Sequence, residues 1–185
     1  MLQSAMSTKV VMFSVSSING LITFQNNPDI YDWTSIEDSD LFLNAIEKSD
    51  AIIMGSKTYE SNKSKIKLNP KHPRFVLTKN PDKYLTESVK GQLNFTNQSP
   101  TEIINSLKDN CRIILVVGGG EINSLFLENK LVDELHLTIE PLIFGSGKNL
   151  ISQSLLKISC KLLKFKKLNK NGTLHLVYKI NYEKN

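Results

Sequence analysis

Apolar runs alternate with amphipathic segments along most of the chain, and short polar or glycine-containing turns separate them. Five runs of mainly β-prone residues predict buried strands at 9–15, 50–54, 74–78, 92–95 and 113–117. Apolar residues at helical spacing predict helices over about 36–48, directly after 54, over about 100–109 and from 120 to about 129. Strands that alternate with helices in this way favour an α/β fold with a mainly parallel sheet.

The last third of the chain has a different pattern. Residues 132–139 alternate apolar and polar side chains, which predicts a strand with one less-buried face. Segments 160–168 and 173–180 predict an antiparallel hairpin, because the dipeptide Asn171-Gly172 between them favours a tight hairpin turn. The sheet is therefore expected to end in antiparallel strands.

Length and composition allow one sizeable core. The chain has 185 residues, of which 40% are hydrophobic and 22% are charged, as in ordinary globular domains. Because no low-complexity linker divides it, we expect a single domain over residues 9–185, preceded by a flexible leader at 1–8. The predicted fold is α/β, with a mainly parallel central sheet flanked by helices and a C-terminal antiparallel hairpin.

The charge pattern argues against nucleic-acid binding. The net charge is +5 and much of it lies in a lysine-rich C-terminal segment, without the interleaved aromatic residues or recognition motif of a nucleic-acid surface. Cys111 and Cys160 are far apart and the three histidines form no close ligand pattern, so no metal site is predicted. With no membrane-spanning run and no secretory leader, we expect a reduced, cytoplasmic protein.

Two turns in the chain suit phosphate groups. Residues 118–120 are three glycines between a buried strand and a helix, and residues 55–58, Gly-Ser-Lys-Thr, begin another helix directly after a strand. The first turn of a helix offers unpaired N–H groups and the positive end of the helix dipole, and glycine lets a phosphate approach the backbone. Neither turn has the spacing of a known phosphate fingerprint, and both also fit ordinary turns and caps. Together they suit a ligand with more than one phosphate.

Asp38 is the candidate acid. Ser35 and Asp38 have the spacing of a helix cap, which places Asp38 in the first turn of the helix predicted at 36–48. It follows a polar loop at the end of the first strand, where open α/β sheets usually hold ligands. Asp38 is therefore a candidate proton relay or substrate anchor. The alternative is a first-turn acid that only favours the helix dipole.

Several segments together resemble the dihydrofolate-reductase-like superfamily. They are Ser17-Ile18-Asn19-Gly20, the segments 50–58 and 116–120, and Leu131-Val132-Asp133-Glu134-Leu135 leading to Pro141-Leu142-Ile143-Phe144-Gly145. The last pair is most similar to the reductase domain of the riboflavin pathway, the RibD C-terminal domain. The resemblance covers roughly residues 9–180 and implies a mainly parallel sheet flanked by helices, NADPH as the cofactor, and a homodimer.

The resemblance also implies an activity and a set of site residues. Riboflavin-pathway members reduce the ribosylamino group of 5-amino-6-(5-phosphoribosylamino)uracil to the ribitylamino product. The implied cofactor-binding residues are Gly55, Ser56, Lys57, Thr58, Thr78, Lys79, Gly118, Gly119, Gly120, Glu121 and Ile122. The implied substrate-binding residues are Ser17, Asn19 and Gly20, with Asp38 as the catalytic acid.

Three positions depart from the riboflavin-pathway pattern and leave the substrate open. Asn19, Leu21 and Val117 stand where those reductases usually have an aspartate, a lysine and an acid. The segments around Asp38 and at 54–61 also resemble dihydrofolate reductase itself. We favour a riboflavin-pathway reductase. A pterin or dihydrofolate reductase on the same fold and a non-catalytic nucleotide-binding module are the alternatives.

Overall fold

Eight strands form one sheet through the middle of the molecule. The computed structural model describes residues 7–27, 29–152, 154 and 156–182. Its strands are β1 Lys9–Ser17, β2 Ala51–Gly55, β3 Arg74–Leu77, β4 Leu93–Thr96, β5 Ile113–Val116, β6 Glu134–Glu140, β7 Ser159–Lys167 and β8 Leu174–Asn181. They lie in the order β4-β3-β2-β5-β1-β6-β8-β7. The first six pair in parallel, whereas β8 is antiparallel to β6 and to β7.

Helices cover both faces of this sheet. They are α1 Ile36–Lys48, α2 Ser56–Asn62, α3 Pro100–Leu107 and α4 Gly120–Glu128. Adjacent strand residues point to opposite faces, so Ile53 packs with Ile103 of α3 and Phe126 of α4, whereas Ile52 packs with Tyr59 of α2. The parallel strands are therefore buried on both sides, as their apolar composition predicts.

The helix starts follow from local sequence. The Ser35 hydroxyl accepts a hydrogen bond from the Asp38 N–H at 3.3 Å and begins α1 at the predicted residue. Ser99 and Glu102 form a reciprocal capping box at the start of α3, which satisfies N–H groups that the helix leaves unpaired. Both sites are local, which explains why these starts could be read from sequence.

The predicted fold class, with its mainly parallel sheet and C-terminal antiparallel pair, is confirmed. The alternation along β6 predicts one less-buried face, and toward the end of the strand the more buried side is the polar one. Thr138 is fully buried and Glu140 is 3% exposed, whereas Ile139 is partly exposed. The reason is that their side chains hydrogen-bond to neighbouring elements: Glu140 accepts from Ser35 and Thr173, and Thr138 lies 3.2 Å from His175 Nδ1.

Most of the leader predicted at 1–8 lies outside the described residues. Thr8 is described, and its hydroxyl oxygen lies 2.6 Å from the Lys108 carbonyl oxygen and 2.7 Å from that of Cys111. Thr8 is therefore held against the segment between α3 and β5. Within the described ranges, no helix has both the length and the apolar character needed to cross a bilayer.

The last strand in the sheet order, β7, is exposed along its whole length. Phe165 is 73% exposed, and the pairing of β7 with β8 is irregular between Leu162 and Lys164. The turn that joins the two strands contains Gly172 at φ +102°, a backbone conformation that favours glycine. The predicted hairpin turn is therefore present, and it leaves an apolar side chain on an edge strand.

Candidate active site

A cleft of about 1890 Å³ opens at the carboxyl ends of the central strands. Ligands usually bind there in open α/β sheets. Its lining includes Asp38 and every residue predicted to bind the cofactor: Gly55, Ser56, Lys57, Thr58, Thr78, Lys79, Gly118, Gly119, Gly120, Glu121 and Ile122. The fold thus brings together residues from four separate parts of the sequence.

The two glycine turns contact each other directly. The Gly55 N–H donates to the Gly118 carbonyl oxygen at 2.9 Å, and the Val117 N–H donates to the Ile53 carbonyl oxygen at 2.9 Å. A Cβ atom at Gly55 would lie only 2.8 Å from Cγ1 of Ile122. Glycine at 55 therefore allows the turn after β2 to pack against the turn after β5.

The turn before α4 leaves its backbone accessible to a ligand. Gly118 has φ +85° and the peptide bond from Gly118 to Gly119 is cis. Gly119 is the N-cap of α4 and has no side chain to cap the helix. A Cβ atom at Gly119 would lie 3.4 Å from Thr58 Oγ1, and one at Gly120 would collide with the Asn149 carbonyl oxygen. The first-turn N–H groups of α4 thus lie in a narrow cradle of the kind that suits phosphate oxygens.

Lysine side chains surround the mouth of this cradle. Lys57 Nζ lies 2.8 Å from Glu121 Oε1 in an ion pair whose two side chains are mostly exposed. This contact, with smaller effects of Lys148 and Lys79, holds the pKa of Glu121 below its usual value. An exposed ion pair contributes little free energy, so Lys57 can exchange Glu121 for a phosphate at small cost.

Asp38 is 4% exposed, and its Oδ1 atom is buried without a hydrogen-bond partner in the described structure. The pKa of Asp38 is raised to about 6, mainly by burial; the Thr138 hydroxyl lowers it and the negative charge of Glu140 raises it, and both effects are included in this value. A carboxyl group with such a pKa exchanges a proton near neutral pH. The geometry therefore fits a proton donor better than the alternative of a first-turn acid on the helix surface.

Glu140 is a site residue that the sequence did not reveal. One of its carboxylate oxygens accepts from the Ser35 N–H and hydroxyl, both at 2.7 Å. The other accepts from the Thr173 hydroxyl at 2.6 Å. Glu140 thus fastens the start of α1, and with it Asp38, to the end of β6 and to the turn before β8. The alternation of polar residues along β6 was a usable signal for such a residue, but the hydrogen-bond partners of Glu140 are distant in sequence and could not be identified from it.

Ser17, Asn19 and Gly20 do not line the cleft. Ser17 Oγ lies 2.8 Å from Asn19 Oδ1, and the Asn19 amide both donates to and accepts from the backbone of Phe144. These bonds hold the loop after β1 against the segment after β6, with Gly20 at φ +81° in the turn. Direct contact of the three residues with substrate stays a prediction that this geometry does not favour; Ser17 and Asn19 instead shape the loop.

No group of three or more possible metal ligands occurs among the residues that the structure describes. Cys111 is buried and Cys160 is exposed, and both are free thiols. The polar side chains that line the cleft carry carboxyl, hydroxyl, ammonium, guanidinium, imidazole and amide groups.

The fold and the cleft define an α/β protein of the dihydrofolate-reductase-like class. The chain belongs to the RibD C-terminal domain family, whose sequence profile matches residues 8–174. Among curated proteins, it is similar to the uncharacterized protein YwjB of Bacillus subtilis, with 26% identity over 93% of this chain and 99% of that protein.

Two solved structures illustrate the shared fold. A pyrimidine reductase-like protein from Corynebacterium diphtheriae has a TM-score of 0.78 and 17% identity, over 95% of this chain and 93% of that one. Dihydrofolate reductase from Enterococcus faecalis, in a complex with NADP(H), has a TM-score of 0.69 and 16% identity, over 94% of this chain and 97% of that one. Likeness at such low identity establishes the fold and leaves the reaction to be argued from the site.

The burial of Asp38 predicts a specific pH dependence of stability. Its pKa is 3.8 in an unfolded chain and about 6 in the fold, so the folded state binds the proton more tightly and loses stability as pH rises through this window. Asp38→Asn removes the titration. The unfolding free energy of this variant, relative to the wild type, should rise between about pH 4 and about pH 6 by at most about 3 kcal/mol and then level off.

Urea unfolding at each pH measures this difference. The matched control is Asp40→Asn, since Asp40 lies on the exposed side of the same helix, and its difference from the wild type should stay flat. A flat profile for Asp38→Asn as well would contradict the buried environment of Asp38.

Proposed function

We propose that this protein is an NADPH-dependent reductase. The observation that carries the proposal is the direct contact of two glycine turns beside a buried acid, in one cleft. The turns suit the backbone of a dinucleotide cofactor with its pyrophosphate, and the acid suits the proton that a carbonyl or imine reduction needs. Membership of the RibD C-terminal domain family supports the same reaction class.

The cofactor would be held mainly by backbone groups. Gly118 to Ile122 would receive the pyrophosphate at the start of α4, and Gly55 to Thr58 the other side of the cofactor. Thr78 and Lys79, directly after β3, would lie near the adenosine 2′-phosphate. NADPH supplies the hydride when bound; the chain's part is to orient the reacting groups and exclude water.

Asp38 would supply the proton. The substrate gains one hydride and one proton overall, and Asp38 Oδ1 lies buried with no hydrogen-bond partner among the described residues to compete for it. Ser35 and Glu140 hold the start of α1, so they would position Asp38 without touching the substrate. We favour the ribosylamino group of 5-amino-6-(5-phosphoribosylamino)uracil as the reducible group, with the ribitylamino compound as the product.

A pterin or dihydrofolate reductase is the second candidate. The buried Asp38 beside Thr138 favours it, because such a carboxyl group can bind and protonate a flat heterocycle by paired hydrogen bonds. Both candidates use the same cofactor cleft and the same acid. They differ in the substrate, which an assay can separate.

The turnover test follows NADPH oxidation with the phosphoribosylaminouracil and with dihydrofolate in parallel. We expect turnover with the uracil compound, and a loss of about 10²–10⁴ in kcat for Asp38→Asn, the usual contribution of a positioned general acid. Asp40→Asn is again the control and should retain activity. Turnover with dihydrofolate alone would establish the second candidate, and normal turnover of Asp38→Asn would remove Asp38 from the mechanism.

The choice of NADPH over NADH tests the position of Lys79. Replacing Lys79 by Met should weaken NADPH binding by about tenfold, because a charged hydrogen bond to the 2′-phosphate contributes roughly 1.5 kcal/mol or more. NADH lacks that phosphate, so its binding should not change. Calorimetric titration measures both, with Lys90→Met, remote from the cleft, as the control. Equal losses for both cofactors would contradict the assignment.

We also propose that the protein forms a homodimer in the cytoplasm, through its exposed edge strand β7. Unpaired edges with apolar side chains are liable to associate. Phe165 is the aromatic residue of β7, and it is 73% exposed. Light scattering after size exclusion should give twice the chain mass for the wild type and a monomer for Phe165→Lys. Leu125→Lys on α4 is the matched control and should remain a dimer. If Phe165→Lys also remains a dimer, the contact lies elsewhere.

A further inference from the structure

Asp38 loses its access to water when the cleft is filled. The residue is 4% exposed and lines the cleft, so a bound cofactor and substrate would cover the side from which solvent reaches it. A proton donor has to regain a proton before it can act again. A route from Asp38 to water that does not pass through the cleft would therefore be useful to the protein.

Thr138 lies next to Asp38 on the side away from the cleft. It is fully buried on β6, and a hydrogen bond from its hydroxyl group acts to lower the pKa of Asp38. The same hydroxyl oxygen lies 3.2 Å from Nδ1 of His175 on β8. Thr138 and His175 are paired in the register of the two strands, so the sheet holds their side chains together on one face. Asp38, Thr138 and His175 thus form a continuous chain of polar groups.

His175 is the outer end of this chain. The residue is partly exposed, and neither Thr138 nor His175 lines the cleft. The imidazole ring is held by aromatic neighbours, with its centroid 5.9 Å from that of Phe13 and 5.8 Å from that of His136. Water can therefore reach the ring of His175 from outside the cleft.

The surroundings of His175 favour a neutral ring. Burial, and after it the positive charge that His136 can carry, lowers the pKa of His175 to about 4. The charged or titratable groups on the elements around this ring are Asp38 on α1, His136 and Glu140 on β6, and Lys164 and Lys166 on β7, whereas β1 contributes the uncharged ring of Phe13. Near neutral pH, His175 thus carries one ring proton, either on Nδ1 or on Nε2.

The position of that proton is coupled to the charge of Asp38, because the Thr138 hydroxyl group has only one proton to donate. When Asp38 is ionised, Thr138 donates to it and accepts from a proton on His175 Nδ1. When Asp38 is protonated, it donates to Thr138, Thr138 donates to Nδ1, and His175 carries its proton on Nε2. Hydrogen bonds in such a chain strengthen one another, so the two arrangements are the two ends of a proton relay.

We propose that His175, acting through Thr138, returns to Asp38 the proton that Asp38 gives to the substrate. This inference rests on the proposed function for the claim that Asp38 gives up a proton in each turnover. His175 does not touch the substrate, so it is a positioning residue: it orients the Thr138 hydroxyl group towards Asp38 and connects that group to water.

The return of the proton is a balanced transfer. A hydronium ion gives a proton to Nε2 of His175, Nδ1 gives its proton to the Thr138 oxygen, and the Thr138 hydroxyl proton moves to the Asp38 carboxylate. The carboxylate gains one proton, the hydronium ion becomes water, and His175 ends with its proton on Nε2. Proton exchange with water at the partly exposed ring then restores the form with the proton on Nδ1.

The first test uses cofactor-free protein and does not depend on catalysis. Long-range ¹H–¹⁵N NMR spectra distinguish the two neutral forms of a histidine ring. Between about pH 8 and about pH 5, as Asp38 takes up its proton, His175 should change from the Nδ1–H form to the Nε2–H form. His72 is the reference for the Nδ1–H form at the upper pH, because its Nδ1 lies 2.7 Å from the Ser49 carbonyl oxygen, which can only accept.

Two variants show whether this change passes along the chain. In Asp38→Asn, the amide can donate to Thr138 at every pH, so His175 should keep the Nε2–H form throughout. Thr138→Val keeps the shape of the side chain without its hydroxyl group, so the form of His175 should no longer follow pH. A wild type in which His175 keeps one form, or an equal change in Thr138→Val, overturns the proposal.

Turnover gives a second readout, which separates a relay from a structural role. In His175→Asn, the amide nitrogen takes the place of Nδ1 and keeps a donor to Thr138, but it cannot pass a proton on. Its kcat should fall by about tenfold with little change in KM, which is less than the loss expected for Asp38→Asn because water still reaches Asp38 between turnovers. His136→Gln is the matched control on the same face and should keep the wild-type kcat.

Added imidazole completes the kinetic test. His175→Ala leaves space for a free imidazole molecule, which should raise the kcat of this variant and leave that of the wild type unchanged. Normal turnover of His175→Asn, or a loss in His175→Ala that imidazole does not relieve, would give His175 a structural role only. If the wild type turns over neither substrate, the proposed function fails, and the NMR spectra still decide whether His175 responds to Asp38 through Thr138.

Discussion

The close contact between the turns after β2 and β5 is the constraint on which the rest of the site depends. Gly55 and Gly118 share a backbone hydrogen bond, and Ile122 occupies the space that a side chain at Gly55 would fill. This contact fixes the start of α2 beside the start of α4. The two helix starts, each with unpaired N–H groups, therefore face the same cleft.

The acid side of the cleft depends on a different set of contacts. Glu140 joins the Ser35 cap of α1 to Thr173 on the C-terminal hairpin, so the antiparallel strands help to place Asp38 although they lie at the far side of the sheet. Two buried carboxyl groups in one region have different surroundings. Glu140 has donors on both oxygens, whereas one oxygen of Asp38 has no hydrogen-bond partner in the part of the chain that the structure describes.

Locally encoded features were predictable from the sequence. The helix over 36–48 was predicted at its observed bounds, because Ser35 and the apolar periodicity are both local. The glycine turns were also visible as strand–glycine–helix boundaries. The departures of Asn19, Leu21 and Val117 from the riboflavin-pathway pattern still leave the substrate to experiment.

Other features depend on which strands become neighbours, and the sequence did not reveal them. The burial of Thr138 and Glu140 arises because β8 pairs with β6 and α1 packs nearby, through contacts as far apart as 105 residues. The hydrogen bond of Asn19 to Phe144, 125 residues away, is another such contact. Polar residues with distant partners are thus the part of a site that patterns alone predict least well.

A crystal structure of the protein with bound NADPH would test the central claim most directly. The account predicts the pyrophosphate on the backbone of Gly118 to Ile122, the 2′-phosphate beside Thr78 and Lys79, and the nicotinamide directed towards Asp38. A cofactor bound away from the two glycine turns, or crystals that take up no NADPH at concentrations well above those typical for reductases, would contradict it.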